Sequence, residues 1–424
     1  MNIASYGPET AAAAENFALP GPRLSEHPGY LAGLAAVKLA AVRVNSRLGL
    51  LDEDVAAAIA GAAEEVIEGR HLDAFVLPVV QGGGGTSTNM NMNEVLAARA
   101  SQILGGRDVH PNDHVNRSQS TNDVLPTALA VTLVPMVADA MAALSLVQET
   151  LSDKAVEYDE LTHLARTCLQ DAVPIPVRNV HRAQAAAVLY AATALEESCR
   201  ALREVPLGGT AVGTGLGAPA GFTAQVVREL AEIVGFDLVA AVSPTFLLGS
   251  LEPAVRVVEA TAGAGRALAR IGSDLRLLAS GPGGGIGEVS LPRMQAGSSM
   301  MPGKVNPVIP ELVMQVSYQL EGSAASARAA TVVGELEVTA MGPVVTLAAL
   351  ESLQRLTGVA RIFAERCLRD LEWRPDVVRA NLESSLESAV RDAGQLGYDV
   401  AAARVRDDRT GTPYVVPASK ESAS

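Results

Sequence analysis

Aromatic side chains are scarce, at 3% of a 424-residue chain. Sheet sandwiches draw on aromatic and β-branched residues, so this scarcity counts against that architecture. Cysteine is limited to Cys168, Cys199 and Cys367. Their spacing fits no metal motif and founds no disulfide framework, and no metal or cofactor is expected. No run of lysine or arginine stands out, and the net charge is −14. Neither nucleic acid nor an anionic membrane is expected as a partner of such a chain. Met1 to Leu19 shows no cationic head and no apolar core, so no signal peptide is expected and the cytoplasm is the expected setting.

What the chain has instead is alanine, valine and leucine. The hydrophobic fraction is 48%, and this aliphatic mix favours long helices packed on helices. The segment Val124 to Ser152 lacks lysine and arginine and is long enough to span a membrane. Pro126, Pro135, Asp139, Gln148 and Glu149 within or beside it favour a buried bundle helix. Helices are expected over 34–48, from a cap at Asp52 to about Gly69, over 94–100, and then over 124–156, 175–203, 222–234, 246–279, 305–340 and 344–370. Prolines and glycines in residues 1–30 suggest extended chain or loop. The expected fold is all-α, with an N-terminal helical domain at 1–122, a central helix bundle at 123–376 and a small C-terminal domain at 377–424. The tail Thr410–Ser424 is expected to fray.

Three polar stretches interrupt this aliphatic background. The first is Gln81-Gly82-Gly83-Gly84-Gly85-Thr86-Ser87-Thr88-Asn89. Four consecutive glycines exclude a helix or strand interior, and no Walker lysine follows to make it a phosphate loop. The second, His110 to Asp123, is dense in small hydrogen-bonding groups and includes Ser120-Thr121-Asn122. It suits a carboxylate-binding cluster as well as a surface loop capped by Asp123. The third is Gly297-Ser298-Ser299-Met300-Met301-Pro302-Gly303-Lys304-Val305-Asn306-Pro307. It is expected to be a mobile, glycine-flanked loop opening onto a helix, with Asn306 and Pro307 as cap and first-turn proline. A fourth glycine-rich run, Gly208 to Gly217, carries Gly-x-Gly but follows no strand signal, so it is weak as a dinucleotide site.

Together the three stretches, in this order, resemble the aspartase/fumarase superfamily over nearly the whole chain, most closely the aspartate ammonia-lyases. The resemblance implies a three-domain helical subunit and a homotetramer whose central helices form one bundle, each active site drawing on three subunits. It implies a small dicarboxylate substrate and elimination of an amine or water to give fumarate. Matched by motif, Ser298 is the general base, and Lys304 and Asn306 are carboxylate ligands. Thr86, Ser120, Thr121, Asn122 and Thr167 are further substrate-binding donors; Cys168, Ser299 and Met301 belong to the same pocket. Glu311 is the residue that usually partners a histidine.

Several departures bear on the reaction. Cys168 stands where fumarases and many relatives have that histidine; by itself it reads as a small buried residue. Gly84 stands where fumarases usually have serine, Ala12 where arginine is common, and Val177-Arg178-Asn179-Val180 replaces the usual Leu-Gly-Gln-Glu. Loss of the histidine favours C–N cleavage over hydration. The leading expectation is therefore an ammonia- or amine-lyase acting on L-aspartate or an N-substituted aspartate, through an aci-carboxylate. A fumarate hydratase and a catalytically silent helical oligomer are the alternatives.

Overall fold

A computed structural model describes residues 6–332, 336–385 and 393–401. Helices make up 66% and strands 6% of it, which makes the chain an all-α protein. In chain order the helices are α1 (Pro8–Asn16), α2 (Pro28–Arg47), α3 (Glu53–Ile67), α4 (Thr86–Ile103) and α5 (Thr121–Glu157). The hairpin β1 (Thr162–Thr167) and β2 (Gln170–Pro176) follows, then α6 (Val177–Arg200), α7 (Phe222–Val234), α8 (Pro244–Ser250) and α9 (Glu252–Leu278). Then come α10 (Val308–Val332), α11 (Gly342–Phe363) and α12 (Pro375–Glu383). The expected tail, Thr410–Ser424, lies outside the described residues, as does most of 377–424.

The chain divides into two compact units. One gathers residues 1–147, 187–273 and 308–364. In it α2 packs on α3 and α7, α3 on α4, and α10 on α11. Leu31, Leu34, Val37, Ile59, Leu96 and Leu353 are among its buried side chains. The other unit gathers 148–186, 274–307 and 365–424, with the β1–β2 hairpin packed on α12. The seams at 147/148, 186/187 and 273/274 fall inside α5, α6 and α9, and neither 122/123 nor 376/377 is a seam.

Of residues 1–30, expected as extended chain or loop, the described part from residue 6 on contains the helix α1 and the start of α2. Pro8 and Pro28 stand in the first turns of α1 and α2, where a residue without an N–H leaves no helical bond unmade. The acceptor for α1 comes from far away: the Glu94 carboxylate takes the N–H groups of Gly7, Glu9 and Thr10 at 2.9–3.1 Å. A Cβ on Gly7 would lie 2.5 Å from a Glu94 oxygen, so only glycine admits this cap. Glu94 is accordingly inside α4, which begins at Thr86 rather than at 94. The expected helix 246–279 is split by Leu251, whose φ of 50° separates α8 from α9. The expected helix 305–340 is shorter at both ends, running Val308–Val332.

Helix α5 has 37 residues, a length of about 55 Å. By length and composition it could cross a membrane, yet 56% of its most apolar window is buried inside the chain. Residues 162–176, lying between the helices expected at 124–156 and 175–203, form an antiparallel hairpin with Thr167 opposite Gln170. Two smaller pairings, Glu204–Val205 with Val239–Ala240 and Val289–Ser290 with Glu372–Trp373, complete the strands.

Candidate active site

The loop 297–307 is closed on itself by its own backbone. Gly297 N–H donates to Lys304 O at 3.2 Å, and the Asn306 side-chain amide donates to Gly297 O at 2.7 Å. Asn306 thus ties the two ends of the loop together and does not cap α10. A Cβ on Gly297 would meet Lys304 O at 2.2 Å, so the closure requires glycine. Gly303, with φ 84°, makes the return turn.

Inside the loop the Ser298 hydroxyl oxygen accepts two backbone N–H groups, from Met300 and Met301, each at 3.1 Å. A serine oxygen held this way sits in a small donor nest, the arrangement that favours negative charge on it. Ser298 is half-buried and Ser299 is exposed. Met300 and Met301 are 88% and 56% exposed, unusual for methionine. Met301, Lys304 and Asn306 share a cavity of about 630 Å³ with Ser290 and Arg374, and none of its lining residues is acidic. Arg374 was not among the expected site residues; it follows Trp373 with no motif around it.

Thr167 and Cys168 belong to the same unit, at the end of the β1–β2 hairpin. Cys168 and Leu169 form its two-residue turn with φ 54° and 60°. That is type I′ geometry, which Asn-Gly adopts readily and Cys-Leu does not. Cys168 is exposed, which corrects the expectation of a small buried residue. The hairpin is rooted in Glu288, fully buried and bonded by Arg166 at 2.8 Å, Asn381 at 2.9 Å and His163 at 3.2 Å. Burial alone would raise the Glu288 carboxyl; the hydrogen bonds from His163, Arg166 and Asn381 hold it at about 2. Trp373 stacks edge-on against His163 and donates its indole N–H to His181 at 2.9 Å.

The remaining expected donors stand in the other unit. Gly83, Gly84 and Gly85 all have positive φ, and the turn they make delivers the chain into α4. The hydroxyl of Thr86, exposed at that helix start, donates to Gly83 O at 2.8 Å. Thr121 and Asn122, at the start of α5, line a small cavity of about 40 Å³ with Gly84, Thr88 and Tyr30. Ser120 and Thr121 line a second, of about 390 Å³, with Asn116, Gln119 and Thr210. The structure therefore brings Thr121 to Ser120 on one side and to Asn122 and Gly84 on the other. Glu311 lies half-buried in the first turn of α10.

Behind Ser120-Thr121-Asn122 is a buried polar network that sequence reasoning missed. Asp123 is fully buried and accepts N–H groups from Ser120 at 2.9 Å, Gly208 at 3.0 Å and Thr210 at 2.8 Å. It is no surface cap, and the Gly208 run serves it as an amide hook. Lys38, also fully buried, donates to Asn116 Oδ1 at 2.9 Å and Gln119 Oε1 at 3.1 Å. Asn89 donates to the same Asn116 oxygen at 3.2 Å and to Thr121 Oγ1 at 3.1 Å. Burial pushes Lys38 down to about 7 and Asp123 up to about 6, each opposed by the other's charge. Only Lys38, the one polar residue between Leu31 and Val42 of α2, could have signalled this.

Comparison with known proteins matches this chain to a lyase family model over residues 4–322. A class II fumarate hydratase of Ralstonia nicotianae is 39% identical over 403 residues, spanning 94% of this chain and 87% of its own. An aspartate ammonia-lyase of Bacillus subtilis is 37% identical over 407 residues, spanning 95% and 85%. Among solved structures, the fumarate lyase:delta crystallin of Brucella melitensis superposes with a TM-score of 0.91 at 39% identity, covering 95% of this chain and 89% of that one. Similarity at this level and over this length leaves one conclusion: the chain belongs to the aspartase/fumarase superfamily of lyases.

Proposed function

We propose that the protein is a C–N lyase that removes ammonia or a substituted amine from L-aspartate or an N-substituted aspartate and releases fumarate. The proton to be removed lies next to a carboxylate and is very weakly acidic. Its loss leaves a dianionic aci-carboxylate, so the barrier is largely electrostatic. Ser298 is the proposed base, and the observation that carries the reading is its oxygen held by the Met300 and Met301 amides. Preorganised donors of this kind are worth roughly 3–4 kcal/mol each. Lys304 and Asn306 take one substrate carboxylate; Thr86, Ser120, Thr121, Asn122 and Thr167 supply the remaining donors. The site is completed in a homotetramer, in the cytoplasm, by segments from neighbouring subunits.

Fumarate hydration is the second reading, because the fumarate hydratase and ammonia-lyase relatives stand at 39% and 37% identity. Cys168 favours the first: a thiol at an exposed turn cannot do the work of a histidine paired with Glu311. Expelling hydroxide gains from such an acid, whereas an ammonium group leaves as a neutral amine. The deciding experiment incubates the enzyme with fumarate plus ammonia and, separately, with fumarate in ammonia-free buffer. Aspartate in the first tube supports the proposal; malate in the second overturns it. If no succinyl compound yields ultraviolet-absorbing fumarate, the silent oligomer is the better reading.

A further inference from the structure

Lys38 is a charged residue placed where the aliphatic pattern of α2 calls for leucine. Its neighbours Leu34, Val37, Leu39, Ala41 and Val42 are all buried, and its own side chain is fully enclosed. Removing an ammonium from water is costly unless its N–H groups find acceptors. Two of them do, and both acceptors are side-chain amide oxygens of the loop that precedes α5, on Asn116 and Gln119. Those two residues also line the 390 Å³ cavity, together with Ser120 and Thr121.

The bonds run on from there. The Asn116 amide N–H donates to Gln119 O at 3.3 Å. The Gln119 amide N–H donates to Val115 O at 3.0 Å and to Arg117 O at 3.1 Å. Asn89 links the Asn116 oxygen to the Thr121 hydroxyl. Two turns further along α2, Asn45 donates to Arg117 O at 2.9 Å and accepts from the Ser118 hydroxyl at 2.8 Å. The loop 115–121 has no regular secondary structure over Gln119–Ser120 to hold it. These side chains hold it together with the Gln119 N–H to Asn116 O bond at 3.2 Å and the Asp123 carboxylate on Ser120 N–H, and Lys38 is the cation among them.

We propose that Lys38 is a positioning residue that fixes the Asn116–Asn122 loop from behind, through Asn116 and Gln119, so that Ser120 and Thr121 present their hydroxyls to a substrate carboxylate. This rests on the reading that the loop binds a dicarboxylate. With leucine or methionine at 38, both amide oxygens lose a buried donor. Asn116 and Gln119 are then free to turn, and the Asn89–Thr121 link loses its shared partner.

The test is a double-mutant cycle read by calorimetric titration of succinate into the full-length protein. Lys38→Met weakens succinate binding by about tenfold, the order expected for losing a charge-assisted hydrogen bond. Combined with Thr121→Ala it weakens binding less than the product of the two single losses, because both act through one loop. Lys154→Met is the control for loss of a buried lysine: Lys154 bonds Leu371 O and Glu157, and its removal leaves succinate affinity unchanged. Should Lys38→Met fail to fold, Asn116→Leu breaks the same link from the half-buried loop side, with the same expectation. Unchanged affinity in the variant that folds, full multiplicativity with Thr121→Ala, or an equal loss in Lys154→Met overturns the assignment. A wild-type protein that binds neither succinate nor fumarate overturns it together with the dicarboxylate reading.

Discussion

At the scale of single residues, the proposed chemistry turns on which of two adjacent hydroxyls is seated. Ser298 has two amide donors on its oxygen and is half-buried, whereas Ser299 is exposed. Ser298→Ala is expected to cut turnover by about a hundredfold or more while leaving the unfolding midpoint in place. Ser299→Ala should cost far less; a reversal of the two would move the base by one position. His181 makes a prediction of a different kind. Burial pushes it down to about 4, and it accepts the Trp373 indole N–H, which needs a neutral ring. The unfolded chain takes up a proton near 6.5 and the folded chain does not until about 4, so stability falls on acidification through that window. At about 1.4 kcal/mol per pH unit the loss reaches roughly 3 kcal/mol. Urea midpoints measured from pH 7 to pH 4 should show it, and His181→Gln should flatten the profile.

Two elements carry the expected functional groups by unusual means. The loop 297–307 is held by backbone closure at Gly297, so Gly297→Ala should abolish activity as fully as Ser298→Ala without touching a functional side chain. Retained turnover in that variant would show that the closure seen here is not the working conformation. The β1–β2 hairpin places Cys168 and Leu169 in left-handed conformations that cost non-glycine residues roughly 1–2 kcal/mol each. Leu169 is 65% exposed and makes little packing inside the chain. Leu169→Gly should therefore stabilise the protein by about 1 kcal/mol in urea. A destabilisation would instead indicate that Leu169 is covered by another copy of the chain.

For the whole molecule, apolar side chains lie uncovered on the long helices: Tyr190 on α6, Tyr318 and Val332 on α10, and Val156 near the end of α5. Helices that are apolar on more than one face bury the second against a neighbour. The proposed tetramer supplies that neighbour. If each site draws on several subunits, mixed oligomers of Ser298→Ala and Thr121→Ala chains, each inactive alone, should regain activity once unfolded and refolded together. No recovery would mean that one subunit provides both groups. The long helices were legible because their aliphatic pattern repeats within each of them. α1 was not, because its cap is Glu94, more than eighty residues away. The hairpin was not, because Cys-Leu is a poor signal for the turn it makes. Ser298, Lys304 and Asn306 were legible as a motif, whereas Lys38, Asn89 and Asp123 were not.

Residue order alone determined the helical class, the positions of the polar interruptions and the superfamily to which the chain belongs, since composition, period and contiguous motifs are local properties. Only the folded chain decided that Asn306 closes a loop instead of capping a helix, that Cys168 stands exposed at a strained turn, and that a buried lysine bonds Asn116 and Gln119 just ahead of Ser120–Asn122. Each of these depends on a hydrogen-bond partner or a packing neighbour that long-range folding brings into reach, and burial then makes that partner obligatory.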